Sequence, residues 1–381
     1  MRCNDVAQAA FLSTEFGEDG AVLTLESTEM NLLVLAGDGI GPEITAATLS
    51  VLRAASDRFA LGLRIEEAPV GHAGLRTLGS TIHPDIVEKA RKADGVVLGP
   101  TSTFEFKDPA RGEINPSMTL RKSLDLFANI RPARTYPGFH LRCGEFDLVV
   151  ARENTEGFYA DRNMEAGSGE VLVTKDVAVS MRRITRACSE RIARAACELA
   201  MTRRRRVTIV HKANVLKVTD GLFIDACRDV AREFPAVTVD DVIVDAMMAH
   251  VVRNPQRFDV IVTSNMYGDI LSDLTAELSG SLGMAASLNA GTDHGMAQAA
   301  HGSAPDIAGK NVANPLSLIL SAAMLLAWHG RRSKTNSFEA AAGAIEKAVE
   351  TAIAAKESTT DVGGRLGTRE TGDAVAARLR V

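Results

Sequence analysis

A glycine turn that joins an apolar strand to a helix is the feature that most constrains the fold. Residues 32–36 are apolar, and Gly37, Gly39 and Gly41 follow, with a proline and a glutamate directly after them. A proline at the first helical position and an acid in the first turn are typical of a helix N-terminus. The spacing G-x-G-x-G lacks the third glycine of the dinucleotide fingerprint G-x-G-x-x-G. We therefore predict a strand, a tight turn and a helix here, but not a Rossmann fold.

Strand-like and helical segments alternate through the first part of the chain, which is typical of an α/β sheet. Predicted strands cover residues 32–36, 63–67, 95–100, 129–134, 147–151, 171–174, 207–210, 242–244 and 260–263. Predicted helices cover residues 42–59, 84–92, 117–127, 178–201 and 220–234, and the chain is again helical from residue 314. The length of 381 residues suggests two or more domains.

Composition argues against several classes of function. A net charge of −5 provides no basic excess to neutralise the phosphates of a nucleic acid, and the basic run at residues 203–206 is predicted to be a solvated loop. No stretch of about twenty apolar residues is present, so no membrane span is predicted. The five cysteines show no C-x-x-C spacing, which favours a reducing cytoplasm. Residues 1–29 are acidic, unlike a signal or transit peptide, and are treated as an extension of unknown role.

Two carboxylates four residues apart predict a site for a divalent cation. Asp269 and Asp273 lie on one face of a predicted helix, and that helix follows the buried strand at residues 260–263. Asp245 follows the apolar run at residues 242–244 in the same way. Carboxylate oxygens are suited to Mg²⁺ or Mn²⁺, which would relieve the repulsion within the pair. For the pair alone, an exposed acidic helix face is the alternative interpretation.

Three arginines at the ends of apolar elements predict a binding site for a polycarboxylate. Arg121 and Arg131 flank a helix-to-strand junction, and Arg152 ends the apolar run at residues 148–151. A guanidinium group matches a carboxylate through paired hydrogen bonds. Lys212 is a candidate base, since burial beside a metal would lower its pKa, and Tyr159 is a candidate acid.

Seven motifs together resemble the β-decarboxylating dehydrogenases, the family of isocitrate and 3-isopropylmalate dehydrogenases. They occur in the order of that family, and the resemblance runs from about residue 32 to the C-terminus. The motifs lie at residues 37–43, 120–132, 152–157, 212–214, 245–247, 268–273 and 301–306. The resemblance implies a two-domain α/β fold of the isocitrate/isopropylmalate dehydrogenase type. A large discontinuous domain would comprise residues 30–126 and 280–381, and residues 127–279 would form a small central domain.

The resemblance also implies a homodimer with shared active sites. Lys212 and Asp245 would act in the site of the partner subunit, where Asp245 would join Asp269 and Asp273 in holding Mg²⁺ or Mn²⁺. The carboxylates of a malate unit would be held by Arg121, Arg131 and Arg152, and Asn214 would also bind the substrate. Lys212 would draw off the hydroxyl proton during hydride transfer, and after loss of CO₂ Tyr159 would protonate the enolate at C3.

The cofactor expected from the resemblance is NAD. The residues implied to bind it are His301, Gly302, Ser303, Ala304, Asp306 and Asn314. A carboxylate at Asp306 accepts hydrogen bonds from a ribose diol but repels the 2′-phosphate of NADP. One residue departs from the family pattern: Gln298 stands where a glutamate near the nicotinamide is usual, so the negative charge of that glutamate is absent from this chain.

The residues before Arg121 bear on the choice of substrate. Asn115 and Ser117 present polar groups where isopropylmalate enzymes tend to have leucines, although Met118 keeps an apolar option open. We therefore expect an isocitrate-like hydroxy tricarboxylate, with 3-isopropylmalate as the alternative and D-malate or tartrate after it. Two other hypotheses are a non-catalytic regulatory subunit, which would be expected to lose catalytic groups that this chain retains, and an α/β protein that only binds a dicarboxylate.

Overall fold

The computed structural model describes residues 29–137, 143–159 and 169–380. Its strands are β1 Met30–Leu35, β2 Leu63–Glu67, β3 Gly95–Leu98, β4 Ala128–Arg134, β5 Asp147–Glu153, β6 Glu170–Thr174, β7 Val177–Ser180, β8 Arg206–His211, β9 Thr238–Ile243, β10 Val260–Thr263, β11 Leu288–Ala290 and β12 Gly295–Gln298. Its α-helices are α1 Gly41–Phe59, α2 Gly71–Leu78, α3 Pro84–Lys92, α4 Pro116–Ser123, α5 Arg186–Met201, α6 Thr219–Ala231, α7 Val244–Arg253, α8 Asn265–Ser279, α9 Leu316–Ser333, α10 Asn336–Ala354 and α11 Thr368–Leu379.

One ten-stranded sheet runs through the described chain in the order β2-β1-β3-β12-β11-β4-β5-β10-β8-β9. Its two outer parts are parallel, and the contacts of β11 with β12, of β11 with β4 and of β4 with β5 are antiparallel. Strands β6 and β7 form a separate two-stranded sheet. The predicted α/β class is confirmed. No helix within the described ranges is long and apolar enough to cross a membrane.

The apolar core falls into two groups along the sequence. Two clusters pack around β1, β3, α1, α9 and α10, and draw their buried side chains from residues 30–136 and 284–379. Two others pack around β5, β8, β10 and α5, and draw theirs from residues 128–271. This segregation supports the proposed division into a discontinuous large domain and a central small domain.

The glycine turn contacts segments that lie far apart in the sequence, at residues 72, 100–102 and 303. A Cβ on Gly37 would stand 2.1 Å from the carbonyl oxygen of Pro100, and one on Gly39 would stand 1.9 Å from that of Ser303. Only glycine fits so close to a neighbouring backbone, and both residues have positive φ. The buried Asp38 carboxylate accepts hydrogen bonds from the backbone N–H groups of His72 and Ser102 at 2.7 and 3.0 Å. The turn therefore fixes the loop at residues 301–306.

Several element boundaries differ from the sequence predictions. The predicted helix at residues 178–201 is wrong at its start, because Val177–Ser180 is a strand and α5 begins only after Thr185, whose side chain caps it. Alternating β-branched residues favour the strand there. Strand β9 ends at Ile243, so the predicted strand at residues 242–244 runs into α7, which places Asp245 in the first turn of a helix. The run at residues 203–206 is not simply solvated, since Arg203 forms an ion pair with the buried Asp259.

Candidate active site

A cleft of about 500 Å³ lies where the centre of the sheet meets α4 and α8. Most of the residues predicted to bind substrate face it, together with the start of the predicted cofactor loop. Its lining comprises Pro100, Thr101, Thr103, Phe106, Asn115, Ser117, Met118, Arg121, Arg131, Arg152, Tyr159, Asp269, Gln298, Ala299, Ala300, His301 and Gly302. The fold thus brings all three predicted arginines to one surface with Tyr159 and Asp269.

Arg152 organises the floor of the cleft. Its side chain is 2% exposed, and its Nε donates a hydrogen bond to Asn265 Oδ1 at 2.9 Å. One Nη donates to the Asp269 carboxylate, and the other donates to the Tyr159 hydroxyl oxygen at 2.8 Å. The Tyr159 hydroxyl in turn donates to Asp269 Oδ2 at 2.6 Å. Because burial raises the pKa of Tyr159, its hydroxyl is protonated at neutral pH and is held with its proton toward Asp269.

Arg131 lies against the same acidic face of α8. Its Nη1 is 3.3 Å from a carboxylate oxygen of Asp269 and 3.3 Å from one of Asp273, and donates to Ser272 Oγ at 2.7 Å. Burial and the neighbouring Arg152 lower the pKa of Arg131 to about 10 in spite of these carboxylates. Arg131 is therefore still charged at neutral pH.

The two acids of α8 differ in their electrostatic environment. Burial alone would raise the pKa of Asp269, but Arg152 and Arg131 outweigh it, so the net shift is downward. Burial raises the pKa of Asp273, and Asp269 raises it further. An ionised Asp269 beside a more basic Asp273 is a donor set that suits a hard divalent cation. Within the described ranges of a single chain, however, no group of three acidic, histidine or cysteine side chains is placed to hold a metal ion.

Lys212 and Asp245 lie apart from the cleft of their own chain. Lys212 directly follows β8, and its ammonium forms an ion pair with the Asp245 carboxylate. Their side chains are 27% and 68% exposed, and neither residue lines the cleft. Asn214 is exposed in the turn after Lys212. The hydrogen bond from Lys212 lowers the pKa of Asp245, so its carboxylate is ionised at neutral pH. One chain therefore does not bring these predicted site residues together with Tyr159 and Asp269.

Gln298 connects two predicted substrate-binding residues. Its Oε1 accepts hydrogen bonds from Arg121 Nη2 at 2.9 Å and from Ser117 Oγ at 3.1 Å. Asn115 caps α4 by accepting a hydrogen bond from the backbone N–H of Met118 at 3.1 Å. Because Gln298 replaces the family's glutamate, Arg121 has a neutral amide beside it and not a carboxylate.

Sequence reasoning missed a set of buried asparagines that support the arginines. Asn129 Oδ1 accepts from Arg131 Nε at 2.6 Å, and Asn154 Oδ1 accepts from Arg121 Nη1 at 3.2 Å. Asn289 Oδ1 joins them by accepting from both amide groups, at 2.8 and 3.0 Å. Asn129 begins the strand predicted at residues 129–134 and Asn154 follows the one predicted at residues 147–151, but an asparagine at the end of a strand is also typical of a turn. Nothing in the sequence distinguishes the two uses.

The predicted cofactor loop lies on the glycine turn. The Ser303 carbonyl oxygen accepts a hydrogen bond from the Ile40 N–H at 2.9 Å, and the Ser303 and Ser102 hydroxyl groups are 3.0 Å apart. Ala304 has a φ of +38°. Asp306 is exposed on the same loop, and the Asn314 amide is buried and donates to Asp361 at 2.9 Å.

His301 leaves a polar atom available at the cleft. Its Nδ1 lies 3.1 Å from the Gly302 carbonyl oxygen, whereas its Nε2 is buried and has no hydrogen-bond partner among the described residues. Burial lowers the pKa of His301, so the ring is neutral at physiological pH. A buried nitrogen without a partner costs stability unless a bound group satisfies it. The residues of this loop therefore fit a polar cofactor.

Comparison with known proteins shows which family this fold and cleft define. The family model for isocitrate/isopropylmalate dehydrogenase matches residues 31–375. The chain is 41% identical to the isocitrate/homoisocitrate dehydrogenase of Thermus thermophilus over 350 residues, covering 92% of this chain and 98% of that protein. It is 39% identical to the 3-isopropylmalate dehydrogenase of Sulfurisphaera tokodaii over 336 residues, covering 88% and 95%.

A solved structure gives the same assignment. The isocitrate dehydrogenase from Methylococcus capsulatus superimposes with a TM-score of 0.82 at 37% identity, covering 92% of this chain and 100% of that one. The chain belongs to the isocitrate/isopropylmalate dehydrogenase family, and the predicted resemblance and fold type are confirmed. It is an enzyme, a dehydrogenase of a family that carries out oxidative decarboxylation.

Proposed function

We propose that the enzyme oxidises and decarboxylates a 3-substituted (R)-malate, with NAD as the hydride acceptor, and that an isocitrate-like hydroxy tricarboxylate is the favoured substrate. The observation that carries the proposal is the cleft in which Arg121, Arg131 and Arg152 converge beside Tyr159 and Asp269. Three guanidinium groups line the cleft, and Arg131 and Arg152 form ion pairs with the two carboxylates of α8, which leaves an excess of positive charge for a polyanion.

The polar wall near Arg121 favours a substituent that bears a carboxylate. Ser117 is buried, and its hydroxyl and the Arg121 guanidinium share the Gln298 oxygen. A hydroxyl can turn to donate to a substrate carboxylate, whereas an isopropyl group there offers it no acceptor. The name of the Thermus relative, isocitrate/homoisocitrate dehydrogenase, points the same way, and that of the Sulfurisphaera relative supports the alternative, 3-isopropylmalate.

Asp269 and Asp273 would hold Mg²⁺ or Mn²⁺ together with Asp245 of a partner subunit. The bound cation would act as a Lewis acid toward the substrate's hydroxyl and adjacent carboxylate. Asp269 is ionised and oriented by Arg152, which fits this role. EDTA should abolish NADH formation and added Mn²⁺ should restore it. Full turnover by metal-free protein would contradict the metal-binding role of Asp269 and Asp273.

Two residues on different subunits would carry out the proton transfers. Lys212 of the partner subunit, in its neutral amine form, would accept the proton of the substrate hydroxyl as C2 gives its hydride to NAD. Tyr159 would donate a proton to C3 after CO₂ leaves. Its raised pKa keeps that proton in place, and its contacts with Arg152 and Asp269 fix its direction.

The cofactor proposal is NAD rather than NADP. Asp306 presents an exposed carboxylate on the loop that carries His301, and His301 offers a buried nitrogen that has no partner in the part of the chain that the structure describes. A carboxylate suits a ribose diol and repels a 2′-phosphate. An isocitrate dehydrogenase of Arabidopsis thaliana that is named for NAD is 39% identical over 356 residues.

A homodimer would complete the site. Lys212 and Asp245 lie outside their own cleft, so a second chain must supply them if they act in it. The hairpin of β6 and β7 exposes apolar side chains, which an isolated soluble hairpin avoids and a second copy of this chain would cover. These side chains are Val171, Leu172, Val173, Val177 and Val179.

The cytoplasm is the proposed location. The cysteines of the described ranges are all free thiols, and burial raises the pKa of each of them. Protonated thiols of this kind neither form nor need disulfides, which fits a reducing compartment.

A substrate panel tests the proposal. The values of kcat/KM for isocitrate, homoisocitrate, 3-isopropylmalate, D-malate and tartrate should be compared with NAD and Mn²⁺. We expect isocitrate or homoisocitrate to be used most efficiently. A strong preference for 3-isopropylmalate would replace the substrate assignment with its alternative. No NADH from any member would favour a regulatory subunit or a binding protein.

A further inference from the structure

A buried ion pair lies behind the turn that carries Lys212. Asp220, near the start of α6, is 1% exposed, and the side chain of Arg182, which lies between β7 and α5, is 6% exposed. One oxygen of the Asp220 carboxylate accepts from the Arg182 guanidinium. The other accepts from the backbone N–H of Lys212 at 2.5 Å. A single carboxylate thus joins Arg182 to the main chain of the proposed base.

We propose that Asp220, paired with Arg182, is a positioning residue for Lys212 in the site of the partner subunit. Lys212 stands just beyond the end of β8, so strand pairing no longer fixes its backbone. A lysine side chain is long and flexible, and the place its ammonium reaches depends on how firmly its own main chain is held. The proposal rests on the proposed function, in which Lys212 acts across the dimer.

Arg182 has more contacts than an arginine in an ordinary surface ion pair. It donates to Thr219 Oγ1 at 2.9 Å and to Ser264 Oγ at 3.0 Å, directly before α8. Its guanidinium also lies over the rings of Phe158 and Tyr267, at 5.6 and 5.3 Å from their centroids. A buried pair with satisfied hydrogen bonds is costly to break from one side, because the remaining charge is left unpaired.

The direct test is a pair of substitutions at Asp220. Asp220→Ala removes both acceptors, whereas Asp220→Asn keeps an oxygen for the Lys212 N–H and loses the charge that pairs with Arg182. We expect kcat to fall about a hundredfold in Asp220→Ala, as for a misplaced catalytic group, with KM changed by less than about threefold. The kcat of Asp220→Asn should be about tenfold higher than that of Asp220→Ala. A fall in kcat of equal size in both variants, or a change confined to KM, would overturn the proposal.

Asp259→Asn is the matched control. Asp259 is also a fully buried carboxylate in an ion pair with an arginine, Arg203, but it lies outside the cleft. Its substitution should lower the urea midpoint, as Asp220→Asn does, and leave kcat within about twofold. A similar fall in kcat in the control would show that any loss of a buried pair slows the enzyme, and would overturn the positioning role.

Mixed dimers separate action across the interface from action within one chain. Asp220→Ala subunits mixed with inactive Asp269→Asn subunits should recover about a quarter of the wild-type rate per chain, because half of the dimers are hybrids with one intact site. The reference mixture of Lys212→Ala with Asp269→Asn should recover the same amount. Recovery in the reference mixture alone would overturn the role of Asp220 across the dimer. No recovery in either mixture, with subunit exchange demonstrated, would overturn the shared site itself.

Discussion

Replacing Arg152 with lysine should remove most of the activity although it keeps the positive charge. The guanidinium donates to Asn265, Asp269 and Tyr159 in three different directions. A lysine ammonium is a single point donor, and we expect it to keep the ion pair with Asp269 and to lose the other two contacts. A hydrogen bond to a charged group contributes about 1.5–3 kcal/mol, so the two lost contacts amount to about 3–6 kcal/mol.

That free energy predicts the size of the kinetic effect. If both contacts orient Tyr159 and the α8 acids in the transition state, kcat/KM should fall by about 10² to 10⁴. The assay is the initial rate of NADH formation at varied isocitrate with saturating NAD and Mn²⁺, run beside urea unfolding of the same preparation.

A matched arginine elsewhere in the chain supplies the control. Arg203 also makes three hydrogen bonds, one to Asp259 and two to Asp147, but does not line the cleft. Arg203→Lys should destabilise the protein and leave kcat/KM within about twofold. If Arg152→Lys retains kcat/KM within about fivefold of the wild type, the charge alone suffices and the argument from three directed contacts is wrong.

Three further predictions follow from the cleft and its surroundings. Ser117→Leu should shift kcat/KM from isocitrate toward 3-isopropylmalate, and an unchanged ratio would show that Ser117 does not contact the substituent. Asp306→Lys with Ile307→Tyr should reduce an NAD preference of about a hundredfold, whereas equal use of NAD and NADP by the unmodified enzyme would contradict the role of Asp306. Burial raises the pKa of all three tyrosines, so a spectrophotometric titration should find them protonated at about pH 10, where those of the unfolded chain are half ionised. Because the unfolded chain then releases these protons first, stability should fall as pH rises past about 10, and normal titration in the folded protein would refute the burial.

Much of the fold was predictable because its strands are short runs, either apolar or alternating apolar and polar, bounded by turn residues. The strands at residues 63–67 and 260–263 and the helix at residues 84–92 have the predicted bounds. The hairpin of β6 and β7 was only half predicted, since its second strand leads directly toward the cap of α5 and was assigned to that helix. Strands β11 and β12 are three and four residues long, too short for a periodic pattern to show.

The residues of the candidate site were easier to predict from the sequence than the contacts between them. Arg121, Arg131 and Arg152 do converge, because the strands and helix that carry them meet at the centre of the sheet. The contact of Gln298 with Arg121 joins positions 177 residues apart, and no local pattern encodes such a pair. The place of Lys212 outside its own cleft follows from the tertiary structure alone, and its proposed role depends on a second chain.

We propose that this cleft couples hydride transfer to NAD with loss of CO₂ from a 3-substituted malate. The most direct measurement follows NADH and released CO₂ together, in one reaction with isocitrate, NAD and Mn²⁺, and repeats it with Tyr159→Phe and Lys212→Ala. This coupling predicts equal amounts of NADH and CO₂ from the unmodified enzyme and a large loss of both in each variant. NADH without CO₂, or undiminished turnover by either variant, would contradict it.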